Sequence, residues 1–285
     1  MKALDKGFTA LNLREPGNNV VRLERDMKNE WGQKQLHGRY YALLTAEGTD
    51  SLASCQWLTK GHLFPETEGF VMAMQDQVIA TKAYRRWVLG ESLVHDKCRM
   101  CNSTSESIQH IVSGFSVLAP KEYLFRHNNV AKIIHKALCS KFGLLKTEVS
   151  YYKYNPPTLL QNAHTKVYWD TQIVTDRSVA NNKPDILVMD RKDRVAHIVD
   201  IAIPNDDNMQ KSRGGKIRKY QDLSFQLREM YNLDKTTIAP LILSTSGLVP
   251  RTMVTAVNEL GLSTGLVVVA QKTVLLVRKF LSAAH

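Results

Sequence analysis

The chain has 285 residues, of which 44% are hydrophobic and 23% charged, a composition typical of a globular protein and not of a disordered one. It carries 38 Lys and Arg against 27 Asp and Glu, and this net charge of +11 favours a polyanionic partner. Its four cysteines are too few for a disulfide scaffold, and no stretch approaches the roughly 18 apolar residues of a membrane span. We therefore expect a reduced, intracellular protein that makes no membrane contact.

The first half of the chain is predicted to be helical. The first fifty residues are rich in charge and indicate short helices and loops, whereas apolar residues recur about every four positions over Gly69–Leu89 and predict one amphipathic helix. A cysteine-bearing segment follows at Cys98–Phe115. A second helix is predicted over Lys121–Phe142, because Val130, Ile134 and Leu138 share one face.

The pattern changes near residue 150, where the segment Tyr151–Pro157 contains two prolines that a helix is unable to cross. Beyond it, apolar runs predict strands, and one helix is expected over Lys216–Met230. The predicted strands are Val167–Val174, Ile186–Met189, Val195–Ile203 and Ile238–Leu243. The expected fold class is thus α+β, with a helical N-terminal region (1–95), a cysteine-bearing segment with a basic helix (96–150) and an α/β domain with a central mixed sheet (151–285).

Two aspartates flank the most informative part of this domain. Asp185 opens the first of two apolar runs, a polar turn separates them, and Asp200 lies in the second run, so a β-hairpin would return Asp200 beside Asp185. A buried Asp needs a partner or a metal ion. A divalent cation such as Mg²⁺ or Mn²⁺ would relieve the repulsion between two carboxylates, polarise a phosphate and lower the pKa of an attacking water. Two ordinary aspartates in a hairpin would give the same short pattern.

Basic side chains follow the hairpin and predict contacts with nucleic acid. Lys216 and Tyr220 are four residues apart and share a helical face next to Lys219, so a lysine there could stabilise the negative charge that develops during phosphodiester cleavage. The residues predicted to contact nucleic acid are Lys183, Lys211, Arg213, Arg218, Arg126, Lys132 and Lys136. Tyr151, Tyr152 and Tyr154 interleave with Lys153, which suits either base stacking or an ordinary packed linker.

The cysteine segment carries a candidate zinc site. Cys98 and Cys101 have the two-residue spacing of thiolate ligands, and His110 follows as an imidazole ligand. Three ligands leave tetrahedral zinc one short, and His95, Cys139 or water could complete the site. Two free thiols and a surface histidine remain the alternative interpretation.

Several of these segments together resemble the restriction-like endonuclease region of non-LTR (LINE-type) retrotransposon polyproteins, a PD-(D/E)xK nuclease. The resemblance covers nearly the whole chain. The matching segments are Glu66–Phe70, Arg126–Asn128, Tyr151–Tyr154, Tyr168–Asp170, Lys183–Asp185, Asp200–Asn205, Lys216 with Tyr220, and Val277–Leu281.

The resemblance implies a restriction-endonuclease-like fold and a nuclear protein that nicks target DNA to prime reverse transcription. It implies that Asp185 and Asp200 bind the metal and that a helix lysine completes the site. Ala202 stands where the simpler motif has this lysine, which leaves Lys216 and Lys219 open. The family also has a CCHC zinc knuckle, whose fourth cysteine is replaced here by Phe115.

The chain lacks the Tyr/Phe-x-Asp-Asp signature of a polymerase palm, so we expect no reverse transcriptase activity, which another chain or a longer polyprotein would have to supply. The partner is expected to be DNA, and RNA is a further candidate. An inactive nucleic-acid-binding remnant of a retroelement is the alternative to an active nuclease, since Phe115 departs from the family pattern.

Overall fold

A computed structural model describes residues 18–92, 95–114, 119–147 and 149–276. In this part of the chain, ten α-helices surround a five-stranded mixed sheet, which confirms the predicted α+β class. The helices are α1 (Asn18–Gln33), α2 (Arg39–Leu44), α3 (Ser51–Lys60), α4 (Pro65–Gln75), α5 (Lys82–Trp87), α6 (Leu124–Lys141), α7 (Met209–Lys219), α8 (Gln221–Met230), α9 (Arg251–Glu259) and α10 (Gly265–Leu275). The strands are β1 (Leu159–Gln161), β2 (Thr165–Trp169), β3 (Ile186–Asp190), β4 (Val195–Ala202) and β5 (Lys235–Ile242). None of the described helices is both long and apolar enough to span a membrane.

The single helix predicted over Gly69–Leu89 is wrong, because the structure has two helices, α4 and α5, in this region. The chain leaves helical geometry at Gln77, whose φ of 60° lies in the left-handed region. A new helix starts after Thr81, whose hydroxyl accepts a hydrogen bond from the Tyr84 amide (3.2 Å). The apolar residues keep about the same spacing across the break between α4 and α5, so their periodicity alone does not reveal it.

Helix α6 is confirmed close to its predicted bounds and is entered through a π-helical turn, Ala119–Tyr123. Val130, Ile134 and Leu138 are at most 1% exposed and pack against the sheet in the main apolar core. Because these side chains are buried, the first turns of α6 have a fixed orientation relative to the sheet.

The sheet has the strand order β1-β2-β3-β4-β5, in which β1 to β4 are antiparallel and β5 lies parallel to β4. β3 and β4 form the predicted hairpin, and its turn is closed by Asp190, whose Oδ1 accepts hydrogen bonds from the amides of Lys192 (3.0 Å) and Asp193 (3.2 Å). The parallel step to β5 requires a crossover, which α7 and α8 supply. The helix predicted over Lys216–Met230 is therefore two helices that meet at Tyr220.

The two faces of the sheet carry separate apolar cores. Ile186, Val188 and Val199 pack with α6 on one face, whereas Leu187 and Ile198 pack with α8 on the other. Helix α7 contacts β4 and β5 but buries none of its own side chains. It is thus attached to the sheet at the edge of the second core.

The N-terminal helices contact the loop that follows β5. Ser54 Oγ of α3 accepts a hydrogen bond from the Val249 amide (2.9 Å), and Gln75 Nε2 at the end of α4 donates to Ser246 O (2.8 Å). From α10, Gln271 Nε2 donates to Ser54 O (2.9 Å) and to Gly247 O (2.6 Å). These buried polar contacts hold α3 and α4 against the loop that follows β5.

We expect Ile134→Ala to lower the free energy of unfolding by about 2–5 kcal/mol, because it leaves a cavity between α6 and the sheet. Leu124→Ala on the same helix is the matched control, since Leu124 is 52% exposed and its loss should change stability by less than about 0.5 kcal/mol. Denaturant unfolding of both variants measures the difference. Equal stability losses would contradict the packing of α6.

Candidate active site and metal-binding cluster

The hairpin brings Asp185 and Asp200 to the same end of the sheet. Ile186 pairs with Val199 in the β3–β4 ladder, so the next step of this register places Asp185 opposite Asp200. Asp200 alternates with Ile198 and therefore lies on the face that packs against α8, whereas Asp185 directly precedes β3 and its carboxylate contacts the Ile201 amide and His127 of α6. The hairpin predicted from the sequence thus places the two aspartates at opposite positions of neighbouring strands.

The Asp185 carboxylate is oriented by two hydrogen-bond donors. Its Oδ2 accepts from the Ile201 amide (2.7 Å) and from Nε2 of His127 (3.1 Å), which also lies 3.2 Å from Ile201 O. Asn128 Oδ1 lies 3.1 Å from the other ring nitrogen of His127. Within the described residues, these hydrogen bonds to the Asp185 side chain all go to Oδ2, which leaves Oδ1 available to a ligand.

His127 and Asp185 shift each other's pKa. Burial disfavours the ionised form of Asp185, but the hydrogen bonds from His127 and Ile201, with the positive charges of His127 and Lys216, hold its pKa below the ordinary value. Burial also opposes protonation of His127, and its contacts with Asp185 overcome this effect and raise the pKa of His127 to about 9. The pair is therefore ionic at neutral pH.

Asp200 is 1% exposed, and each of its carboxylate oxygens has a different partner. Oδ1 accepts a hydrogen bond from the Tyr220 hydroxyl (2.7 Å), and Oδ2 forms an ion pair with the ammonium of Lys216. Lys216 comes from the last turn of α7, directly after Gly214 and Gly215. The crossover helix α7 thus places the Lys216 ammonium against the Asp200 carboxylate.

Tyr220 is fully buried where α7 meets α8, and its hydroxyl links several parts of the site. Besides Asp200 Oδ1, it lies 3.0 Å from Lys183 O, and it accepts a hydrogen bond from Lys219 Nζ (2.8 Å). Burial raises its pKa well above the ordinary value, and the hydrogen bond to Asp200 adds to the shift. Tyr220 therefore stays a neutral donor that orients Asp200, and Lys219 reaches the carboxylates only through it.

The basic residues predicted to contact nucleic acid differ in exposure. Lys183, Lys211 and Arg218 are exposed, and Arg213, Lys132 and Lys136 are half-buried. Lys183 pairs with Asp170 (3.0 Å) beside the carboxylates. Arg126 is different, because it is only 2% exposed and donates to Val112 O (2.7 Å). Its guanidinium holds the start of α6 to the preceding segment, so we exclude Arg126 from the proposed nucleic-acid surface.

Cys98, Cys101 and His110 form a cluster that could bind a metal ion such as zinc. One ligand atom from each residue lies within 4.8 Å of the others, and Cys101 Sγ is 3.4 Å from His110 Nε2. A hydrogen bond from the Ser103 hydroxyl and the nearby backbone amides lower the pKa of Cys101 to about 5, which favours the thiolate that zinc requires.

The loop that carries this cluster is closed by its own polar contacts. The Cys98 amide donates to Thr104 O (2.8 Å), and Glu106 accepts hydrogen bonds from the amide (2.8 Å) and guanidinium of Arg99. Cys139, one candidate for a fourth ligand, is instead buried in the core beside His135, and His95 is not part of the described cluster. Phe115 lies outside the described residues. The described part of the chain therefore supplies three ligands.

Reasoning from the carboxylate motif did not identify His127, which contacts Asp185. The sequence did contain a signal, since His127 precedes Val130 and Ile134 by three and seven residues and so shares the buried face of α6. A polar residue at the start of such a face is directed toward the sheet. Only the observed packing shows that it meets Asp185 there.

Comparison of the chain with protein-family models and with curated proteins found no match. The geometry of the two clusters is therefore what indicates the function of the chain.

The ion pair between His127 and Asp185 predicts a pH-dependent effect of His127→Ala. Because the folded-state pKa of His127 lies above its unfolded value of roughly 6.5, its contribution is fully present below that pH and is lost as the pH rises through about 9. The contribution of Asp185, whose pKa is lowered, is present above its unfolded pKa of roughly 3.9. The variant should therefore lose roughly 1–3 kcal/mol between about pH 5 and 6.5 and much less near pH 10.

Chemical unfolding of wild type and variant across this pH range measures the effect. His164→Ala, in an exposed turn, is the control and should show no such trend. A stability difference for His127→Ala that stays constant from pH 6 to 10 would contradict the ion pair.

The cysteine cluster predicts that metal-free wild type takes up one zinc ion and is stabilised by about 2.7 kcal/mol when free zinc exceeds the Kd roughly 100-fold. Cys101→Ala should abolish the uptake, whereas the control Cys55→Ala on α3 should retain it. Phe115→Cys, which restores the four-ligand pattern, should bind more tightly. Metal analysis and thermal melting test this, and no zinc in either wild type or Phe115→Cys would rule the site out.

Proposed function

We propose that this chain is a divalent-metal-dependent DNA endonuclease that hydrolyses a phosphodiester bond. The observation that carries the proposal is the contact between the Lys216 ammonium and Asp200, which lies opposite Asp185 in the hairpin. Two carboxylates can hold a divalent cation together with a substrate phosphate, and a lysine beside them can stabilise the charge that develops during cleavage. We further propose that the five-stranded sheet and its helices form a restriction-endonuclease-like fold, as the sequence resemblance implies.

The donor chemistry of the carboxylate pair fits Mg²⁺ or Mn²⁺. Both ions prefer oxygen ligands, and Mg²⁺ is commonly bound by one or two carboxylates together with substrate phosphate. Asp185 Oδ1 makes none of the hydrogen bonds described above, and Asp200 Oδ2 has the ammonium of Lys216 as its partner. When bound, such a cation would polarise the scissile phosphate and lower the pKa of the attacking water.

The chain's own residues take separate roles in this proposal. Asp185 and Asp200 hold the cation, and Lys216 neutralises the negative charge that develops on the phosphate. Tyr220 is buried and keeps Asp200 oriented, so it acts by positioning and makes no contact with the phosphate. We favour Lys216 over Lys219 as the catalytic lysine, because Lys216 contacts a carboxylate directly and Lys219 contacts Tyr220.

The basic residues around the site would bind the DNA backbone. Exposed Lys183, Lys211 and Arg218 surround the carboxylates or lie on α7, and their charges would attract phosphate groups at low salt. We propose that the cut serves target-primed reverse transcription in the nucleus, with the polymerase supplied by another chain or a longer polyprotein. RNA would be a second nucleic-acid partner in that setting.

One feature favours a second function, that of a noncatalytic nucleic-acid-binding remnant. His127 and Lys216 already neutralise the two carboxylates, so the site is electrostatically balanced without a metal ion. A remnant would bind DNA with a strong salt dependence and would not cleave it. Binding across a salt series, run beside a cleavage assay, separates the two functions.

The endonuclease proposal predicts that wild type nicks supercoiled DNA with Mg²⁺ or Mn²⁺ and that Asp200→Asn reduces the rate by about 10²-fold or more. The Asn side chain keeps the shape of Asp and can still accept from Tyr220, so the loss would report on charge and metal binding. Asp193→Asn is the matched control, because Asp193 lies in the turn at the far end of the same hairpin, more than about 16 Å away. Equal nicking by wild type and Asp200→Asn would refute the site.

The same assay separates the two lysines. Lys216→Ala should reduce the rate by about 10²-fold with little effect on DNA affinity, because it removes a charge at the reacting phosphate. Lys219→Ala should cost less, since among the described residues its ammonium contacts the hydroxyl and the ring of Tyr220. A larger loss for Lys219→Ala would reverse the assignment.

A further inference from the structure

The segment between α6 and β1 presents two adjacent aromatic rings to solvent. Tyr152 is 72% exposed and Tyr151 is 43% exposed. Their ring centroids are 5.7 Å apart with an interplanar angle of 84°, and the ammonium of Lys153 lies 6.0 Å from the Tyr152 centroid. Exposed aromatic side chains beside a lysine are the elements of a base-stacking surface.

The next tyrosine anchors this surface to the core. Tyr154 is 7% exposed, its hydroxyl lies 2.8 Å from His135 Nδ1, and the rings of Tyr154 and His135 stack with centroids 5.7 Å apart. Trp169 at the end of β2 meets His135 edge-on. Because Tyr154 is fixed between α6 and the sheet, the backbone next to the two exposed rings is held in place at Tyr154.

Helix α6 connects this position to the candidate active site. His127, which holds Asp185, and His135, which holds Tyr154, are eight residues apart, or about 12 Å along the helix. Lys132 and Lys136 are four residues apart, so these two half-buried lysines share one face of α6. Two positive charges therefore lie on the helix that links the carboxylate site to the tyrosine segment.

We propose that Tyr151 and Tyr152 stack unpaired bases of a DNA strand whose backbone follows Lys132 and Lys136 away from the carboxylate site. The inference rests on the proposed function for the place of the cut, but the stacking itself requires no catalysis. The surface binds unpaired bases of the same DNA, where the duplex is opened or has an unpaired end.

The test compares two DNA probes in EDTA, which prevents cleavage. One is a short duplex with a single-stranded extension that contains 2-aminopurine, and the other is the same duplex with the extension fully paired. Tyr151→Ala/Tyr152→Ala should bind the extended probe about tenfold more weakly and the paired probe as tightly as wild type does. Tyr151→Phe/Tyr152→Phe should bind like wild type, because a phenyl ring stacks without the hydroxyl.

The fluorescence of 2-aminopurine gives a second readout, since stacking on an aromatic ring quenches it. Quenching is expected with wild type and the double Phe variant and is lost with the double Ala variant. Tyr231→Ala is the matched control, as Tyr231 is 48% exposed and follows α8. Tyr152→Ala alone, at the more exposed position, repeats the test with minimal risk to folding.

The inference is overturned if the double Ala variant binds the extended probe like wild type, if it weakens both probes equally, or if the double Phe variant behaves like the double Ala variant. The nicking assay is independent of these outcomes. If Asp200→Asn loses nicking but wild type shows no stacking, only the stacking proposal is refuted. If wild type shows stacking but never nicks DNA, only the endonuclease proposal is refuted.

Discussion

The arrangement of the site depends on the register of one hairpin. A shift of β3 against β4 by a single residue would send one of the two aspartates to the opposite face of the sheet, because side chains alternate along a strand. The observed register is fixed by the burial of Ile186 and Val199 on the α6 face and of Leu187 and Ile198 on the α8 face. The apolar packing of the sheet thus determines that Asp185 and Asp200 occupy opposite positions of neighbouring strands.

Each carboxylate has a cation from a different face of the sheet. His127 reaches Asp185 from α6, and Lys216 reaches Asp200 from α7. These contacts offset the cost of burying the two carboxylates. Under the proposed function, a metal ion would have to compete with His127 and Lys216 for the carboxylates.

The sequence allowed the hairpin, α6 and β5 to be predicted, because their hydrophobic periodicity coincides with burial, whereas the strand predicted over Val167–Val174 ends at Trp169 in the structure. It did not reveal the breaks at Gln77 and Tyr220, where the apolar pattern continues although the backbone changes direction. Strand β1 was missed because it is three residues long and mostly exposed. The proximity of Asp185 and Asp200 could be inferred from hairpin geometry, whereas the contact of His127 depends on a packing between residues 58 positions apart, which local patterns do not encode.

Helix α7 combines two features that set it apart from its neighbours, since it buries none of its side chains and carries Gly214 and Gly215 just before Lys216. Glycine weakens a helix interior by about 1 kcal/mol relative to alanine, and an element with few buried contacts opens locally at low cost. Tyr220 and α8, by contrast, are anchored in the second core. Amide protons of α7 should therefore exchange with solvent long before those of β4, and each such opening would withdraw the ammonium from the carboxylate while the strands beneath stay paired.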